Sequence, residues 1–283
     1  MNFLHCGKFK VQLGLQTRIM GILNVTPDSF SDGGRHHDRH EAAAHAIRME
    51  EEGADFIDIG GESSRPGASP VSTEEELRRI LPVLEALIPR INIPVSIDTC
   101  KPEVARKAIQ AGASMINDIQ GLKNPKMAEV AAEYRLPAVL MHMQNQPETM
   151  QLNPAYGSVV SDLLLFFKQE VERAVSSGIS REQIVIDPGI GFGKTAAHNL
   201  QILRSLEQFH SLGLPVLIGT SNKSFIGKIL DLPVEKRLAG SLATVAWAVW
   251  KGVHIVRVHE VGPTKNVIQM IDAIRTAEES PGC

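Results

Sequence analysis

Gly53-Ala54-Asp55-Phe56-Ile57-Asp58-Ile59 decides how the chain is read: a glycine, then a short run of apolar and β-branched residues interrupted by one acid. The glycine closes an amphipathic stretch and reads as the left-handed residue that ends a helix. The run after it reads as a strand of a parallel sheet, buried on both faces. The same unit returns at Gly112-Ala113-Ser114-Met115-Ile116-Asn117-Asp118 and at Gly252-Val253-His254-Ile255-Val256-Arg257-Val258-His259. Looser copies lie at 18–23, 94–97, 137–141, 183–186 and 215–218. Helical periodicity fills the gaps, at 38–52, 73–88, 102–111, 125–134, 158–177, 197–212, 234–250 and 263–279. Eight strands alternating with eight helices is the count of an α/β chain folded as a (β/α)8 TIM barrel. The leftover segment 3–13 is expected to form a short N-terminal β-hairpin closing the barrel floor. No linker or charge block divides the sequence, so residues 1–283 are expected to form one domain.

The bulk properties agree with a soluble enzyme. A 43% hydrophobic content supports a sizeable core, and 22% charged residues is ordinary for a globular chain. The net charge of -3, with acids and bases interspersed, gives no footprint for nucleic acid. Cys6, Cys100 and Cys283 are too few and too scattered for a disulfide framework or a zinc site. No run approaches the roughly 18 apolar residues of a membrane helix. The start lacks the basic-then-apolar layout of a secretory signal, so a cytoplasmic location is expected.

Polar residues stand where each strand ends: Asn24, Asp58 with Glu62, Asp98, Asn117, Met141-His142, Asp187, Thr220 to Lys223, and Arg257 with His259. In this fold the C-terminal mouth carries the active site, so these groups converge on one cavity. Singly, each reads equally as a helix cap or a solvated loop residue. Collectively they read as a site, because Asp98, Asn117 and Asp187 directly follow apolar runs and need partners there.

Several local patterns sharpen the chemistry. The loop 24–34 holds turn formers and ends in Gly33-Gly34, which suits a mobile lid over a ligand. Asn24 at its start suits an oxygen-seeking Mg2+ that keeps most of its waters. Asp187-Pro188-Gly189-Ile190-Gly191-Phe192-Gly193-Lys194-Thr195 is not a nucleotide-binding P-loop, because Pro188 stands where that motif needs its first glycine. It reads instead as a glycine-rich barrel loop presenting Phe192 to a planar ligand. Gly219-Thr220-Ser221-Asn222-Lys223-Ser224 places hydroxyls, amides and an ammonium at a helix start, which attracts a carboxylate or phosphate. Arg257 and His259 point to the same side of one strand as a compact anion clamp. His36, His37, His40, His45 and His210 read as solvated helix surface.

Taken in order, 24–34, Asp58-Ile59-Gly60-Gly61-Glu62-Ser63, Ser96-Ile97-Asp98-Thr99, Ile116-Asn117-Asp118, Met141-His142-Met143, 187–194, 221–224 and Arg257-Val258-His259 resemble the dihydropteroate synthase family over essentially the whole chain. The resemblance implies a transferase of folate biosynthesis. It joins 6-hydroxymethyl-7,8-dihydropterin diphosphate to p-aminobenzoate, releases diphosphate, and is inhibited by sulfonamides. It implies Asp98, Asn117, Asp187 and Lys223 on the pterin edge, with Met141 and Gly219 lining the ring's slot. Ser64, Arg257, His259 and Asn24 with Mg2+ would hold the diphosphate. Arg65, Pro66, Phe192 and Ser221 would hold the aminobenzoate. Asp98, Lys223, Arg257 and His259 carry the catalytic expectation. The Mg2+ and the cationic pair Arg257 and His259 would neutralise the leaving group, and Asp98 would stabilise a pterin methylene cation in a dissociative substitution. A homodimer through outer helices is also implied, with Val245–Val249, Trp247 and Trp250 as an apolar stretch that could serve.

Departures from the family pattern are few. Ser64 stands where threonine is common, Asn222 where arginine is common, and Glu260 where aspartate is usual. The alternatives are a methyltetrahydrofolate–corrinoid methyltransferase-like pterin barrel and a non-catalytic pterin-binding homologue. The first needs no diphosphate clamp. The second would have lost Asn24, Arg257 or His259, and all are present.

Overall fold

The computed structural model describes residues 2–14, 16–26, 35–65 and 67–277. The first strands, β1 (Asn2–Cys6) and β2 (Phe9–Leu13), pair antiparallel as the expected hairpin. Eight parallel strands follow: β3 (Arg18–Asn24), β4 (Phe56–Gly60), β5 (Val95–Asp98), β6 (Met115–Asp118), β7 (Ala138–Met141), β8 (Ile184–Asp187), β9 (Leu217–Ile218) and β10 (Ile255–Val258). Each neighbours the next in space, β10 pairs with β3, and a parallel bridge between Ile186 and Val216 joins β8 to β9. The sheet is thereby closed into a barrel.

Helices α1 (Arg35–Glu51), α2 (Thr73–Leu87), α3 (Pro102–Gln110), α4 (Pro125–Tyr134), α5 (Val159–Ser176), α6 (Ala196–Arg204), α7 (Ser224–Leu230), α8 (Leu238–Trp250) and α9 (Val261–Thr276) run between and after the strands. Their starts follow local chemistry: Ser72 caps α2 through Glu75 N–H, and Thr195 and His198 form a reciprocal cap on α6. Two expectations change. The helix expected over 197–212 stops at Arg204 and continues as a 3-10 turn, Leu206–Leu212. The helix expected over 234–250 opens as a 3-10 turn, Val234–Lys236, and becomes α8 only from Leu238, while the helix start expected after 219–224 is that of α7, which Asp231 in the left-handed region (φ 53°) ends. His210 is half-buried and donates to the Lys251 carbonyl at 2.9 Å, and His45 is also half-buried, so neither is simple solvated surface. His36 and His37 have side chains outside the described residues.

Alternation along the strands sorts side chains into two environments. Alternate positions such as Ile57, Ile59, Ile97 and Ile116 face outward into the helix layer, the larger core. Inward at the floor, Met20, Phe56, Met115, Val139, Val185, Leu217 and Ile255 form a smaller apolar cluster plugged by Leu4, Cys6 and Leu13 of the hairpin. Two residues further along the same strands, the inward positions become Asp58, Asn117, Met141, Asp187, Gly219 and Arg257.

Candidate active site

Arg257 organises the mouth. Its Nε donates to Asp58 Oδ2 at 2.6 Å and its Nη2 to Asp98 Oδ2 at 2.7 Å. Asn117 Nδ2 donates to the same Asp58 oxygen at 2.9 Å, so β4, β5, β6 and β10 are tied through one network. Asp58 is fully buried, and its Oδ1 has no hydrogen-bond partner. A buried acceptor left unmet is uncommon and marks a site under functional demand. Of the five N–H donors of a guanidinium, two make these contacts, so three remain for a ligand. Gly219 lies beside the arginine: a Cβ there would stand 3.8 Å from Arg257 Cβ, an ordinary contact.

The other expected residues gather in smaller groups. Asp187 Oδ1 accepts the Gly189 N–H at 2.7 Å, and Gly189 (φ 69°) admits no side chain because a Cβ would stand 2.1 Å from the His142 carbonyl oxygen. Lys223 Nζ lies 4.1 Å from the centre of the Phe192 ring, a cation–π contact. Gly191 beside them is bare, and a Cβ there would crowd the Lys223 stem at 3.1 Å. Phe192 also joins Ile119, Met141, Met143 and Met150 in an apolar cluster. Ser221 Oγ lies 2.9 Å from His259 Nδ1 and accepts the His259 backbone N–H at 3.3 Å, so this hydroxyl is engaged with the anion clamp.

Burial sets the charge states. It pushes Asp98 up to about 7 against the pull of Arg257, and Asp187 up to about 6. It brings Lys223 down to about 8, with Arg257 adding to the effect. Burial also works against the Arg257 charge, but Asp58 and Asp98 hold that group above the usual arginine range. His259 is brought down to about 4, by burial first and then by Arg257. Of the expected cationic pair, Arg257 is held charged, and burial biases His259 toward the neutral imidazole, which still has one N–H to donate to an anion.

Ser64 and Arg65 lie on the loop after β4, Ser64 half-buried and Arg65 exposed; Pro66 lies outside the described residues, as does most of the expected lid, 27–34. The base of the loop is fixed: Glu62 accepts the Val71 N–H at 2.8 Å and the Lys101 ammonium at 2.6 Å, which also meets the buried Glu76 at 2.6 Å. Thr26, Ser63, Arg65 and 67–72 line a cavity of about 640 Å³ with Glu75 and Arg79. Asn24 ends β3 across from Gly60, where a Cβ would stand 3.9 Å from Asn24 Oδ1 and 3.8 Å from Asp98 Oδ2. The glycine thus leaves two oxygens facing one open corner. Among the described residues no group of three or more His, Cys, Asp or Glu forms a ready-made cage. A hard ion that retains its waters asks for only one or two protein oxygens, so Asn24 fits Mg2+ of that kind.

Three features were not assigned from the sequence: the role of Asp58, the buried contact of Lys194 with His142, and the Lys101 bridge. Only Asp58 carried a signal, an acid inside an otherwise apolar strand.

Comparison with known proteins follows the same outline. The family profile described as "Pterin binding enzyme" matches residues 20–259. The chain is 47% identical over 262 residues to dihydropteroate synthase of Escherichia coli (strain K12), covering 93% of each. Its structure is similar to that of Yersinia pestis dihydropteroate synthase in a sulfonamide drug complex, with TM-score 0.91 and 45% identity over 97% of this chain and 100% of that one. It is equally similar to Xanthomonas albilineans dihydropteroate synthase with 4-aminobenzoic acid, with TM-score 0.92 and 44% identity over 98% of this chain and 99% of that one.

Proposed function

The chain belongs to the dihydropteroate synthase family of pterin-binding enzymes, and on that premise we propose how its barrel mouth makes 7,8-dihydropteroate. The reaction is a transferase step of folate biosynthesis: 6-hydroxymethyl-7,8-dihydropterin diphosphate and p-aminobenzoate give dihydropteroate and diphosphate. The observation that carries the assignment of parts is the Arg257 network, which holds two acids and one amide from separate strands around a single point.

Asp98, Asn117 and Asp187 take the pterin edge, where ionised carboxylates match amino and ring N–H donors. Lys223 donates to the pterin carbonyl, and Met141 and Gly219 line the slot. The free N–H groups of Arg257, the neutral His259 and the Ser64 hydroxyl hold the diphosphate. Asn24 would hold Mg2+, which would supply neutralisation of charge on the diphosphate. Diphosphate leaves readily once its charge is met, so no strong base is needed. In this reading the Asp98 carboxylate stabilises positive charge at the pterin methylene carbon, which favours a dissociative substitution. Phe192, Pro66, Arg65 and Ser221 face the aminobenzoate. Sulfonamides share that ring and compete for the same contacts.

Whole-chain action as one domain, a cytoplasmic location and a homodimer belong to the same reading. Among the described residues no helix is long and apolar enough to cross a membrane. Leu200 on α6 and Leu238, Trp247 and Trp250 on α8 are exposed, and they supply the apolar surface for pairing. Light scattering on the purified protein tests the dimer. Diphosphate release from the two substrates tests the reaction. A methyltransferase-like barrel or a non-catalytic binder would release none.

A further inference from the structure

Lys194 is a buried lysine that the proposed chemistry does not use. It is 3% exposed, and among the described residues its ammonium meets no carboxylate at ion-pair distance. Its N–H groups go instead to His142 Nδ1 at 3.0 Å, the Phe192 carbonyl at 2.9 Å and the His142 carbonyl at 3.3 Å. When Lys194 is protonated it can only donate, so His142 Nδ1 then accepts and the imidazole proton sits on Nε2. Burial brings His142 down to about 2 and Lys194 down to about 7. Asp187 favours the charge only from beyond contact distance, so keeping this ammonium from water is costly, and an apolar chain of similar volume would fill the space without that cost.

What the ammonium does is join the end of β7 to the turn bearing Phe192. The surroundings reinforce this join. Tyr156 Oη donates to the Gly193 carbonyl at 2.8 Å, and Gln151 Nε2 donates to the Gly191 carbonyl at 2.6 Å. Gly193 (φ 61°) packs so close that a Cβ would stand 2.7 Å from the Gln144 carbonyl oxygen. The turn therefore leans on the segment after β7, and the Phe192 carbonyl is its contact with a charge.

We propose that Lys194 is a positioning residue: by holding the Phe192 carbonyl against the end of β7, it sets the angle of the ring that faces Lys223 and receives the aminobenzoate. The inference rests on the reading of Phe192 as an aminobenzoate contact. Steady-state kinetics with both substrates varied would test it, on Lys194→Met, Lys194→Gln, Phe192→Ala and the Phe192→Ala/Lys194→Met double variant. Lys194→Met is expected to raise KM for aminobenzoate about tenfold and to leave KM for the pterin diphosphate within about twofold. Lys194→Gln keeps one N–H for the carbonyl and should recover most of the loss. In the Phe192→Ala background, Lys194→Met should add less than about twofold, because the two changes act through one contact. If Lys194→Met fails to fold, Lys194→Leu alone and combined with Phe192→Ala carries the same comparison. Equal rises in both KM values, or a lowered Tm with both KM values unchanged, would make the lysine purely structural and overturn the proposal. An unchanged aminobenzoate KM in Phe192→Ala would instead remove the reading of Phe192, and the inference with it.

Discussion

The floor and the mouth of this barrel are two rings cut from the same strands, and they obey opposite rules. At the floor Met20, Phe56, Met115, Val139, Val185, Leu217 and Ile255 close on the hairpin, buried and apolar, and Ser96 of β5 is the buried polar exception among them. One step of the strand period further on, Phe56 gives way to Asp58, Met115 to Asn117, Val185 to Asp187 and Ile255 to Arg257. The geometry of the two rings is alike, so the difference lies in residue chemistry. The floor gains free energy by burial. The mouth spends it, holding acids and cations out of water where only mutual contacts and a ligand satisfy them. Stability and activity should therefore respond separately to changes two residues apart.

Phe56→Ala against Asp187→Asn is the strongest way to break that contrast. Truncating Phe56, fully buried in the floor, should cost about 3–5 kcal/mol of stability. Both KM values should stay within about twofold at temperatures where the variant is folded. A denaturant titration with kinetics on the same sample checks this, and a large KM change with little loss of stability would break the division. Asp187→Asn should do the reverse. It keeps the oxygen that takes the Gly189 N–H but removes the charge facing the pterin, so KM for the pterin diphosphate should rise roughly 10- to 100-fold. Its Tm at pH 7.5 should match or exceed that of the parent, since burial pushes the native carboxyl up to about 6 and ionising it there is a cost of folding. The sign follows: a raised folded value favours the folded state at low pH, and the advantage is lost as pH rises through about 6. The Tm gain of the variant should thus shrink on acidification, and a gain that grows instead would refute the account.

Much of this contrast was legible before any coordinates. The glycine-strand unit marks the barrel because buried parallel strands must be apolar on both faces, and the polar residue ending each run marks the mouth. Asn117, Asp187, Arg257 and His259 stand at or beside strand ends as the sequence pattern predicts, while Lys223 stands at the start of α7. The partner of each was not legible, because period 2 says which face a side chain takes and not which neighbour it meets across the barrel. Asp58 and Arg257 are 199 positions apart, and their pairing depends on closure. The neutral state of His259 depends on burial, which no local pattern reports. The break after Arg204 is not legible for another reason: the segment keeps its apolar stripe through a 3-10 turn.

The charge states of the mouth give a third test, of about tenfold per pH unit. Asp98 and Asp187, pushed up to about 7 and about 6 by burial, accept pterin N–H groups only when ionised. Lys223, brought down to about 8, donates only when protonated. The kcat/KM for the pterin diphosphate should therefore fall as pH drops through 7 to 6 and again as it rises past about 8. Asp187→Asn should remove part of the acid limb and leave the alkaline limb in place. Leu217→Ala, a floor change, should move neither. An acid limb that persists unchanged in Asp187→Asn would assign it to other groups.

The smallest effect concerns Asn222, where the family commonly has arginine. Its N–H donates to Ser241 Oγ at 3.0 Å, its carbonyl accepts from Arg237 at 3.2 Å, and its φ of 57° lies in the left-handed region. The α8 side of the mouth thus fixes the backbone, whatever side chain it bears. Asparagine tolerates this conformation better than most residues, so Asn222→Arg should lower stability by roughly 1 kcal/mol. The added charge is half-exposed and screened, so it should lower KM for aminobenzoate by no more than about fivefold. That gain should fade as salt is raised to 0.5 M, where the screening length is only about 4 Å. A larger gain that survives salt would mean the arginine meets the carboxylate in a desolvated contact. The boundary between the costly, buried charges of the mouth and its solvated rim would then have to be moved outward past Asn222.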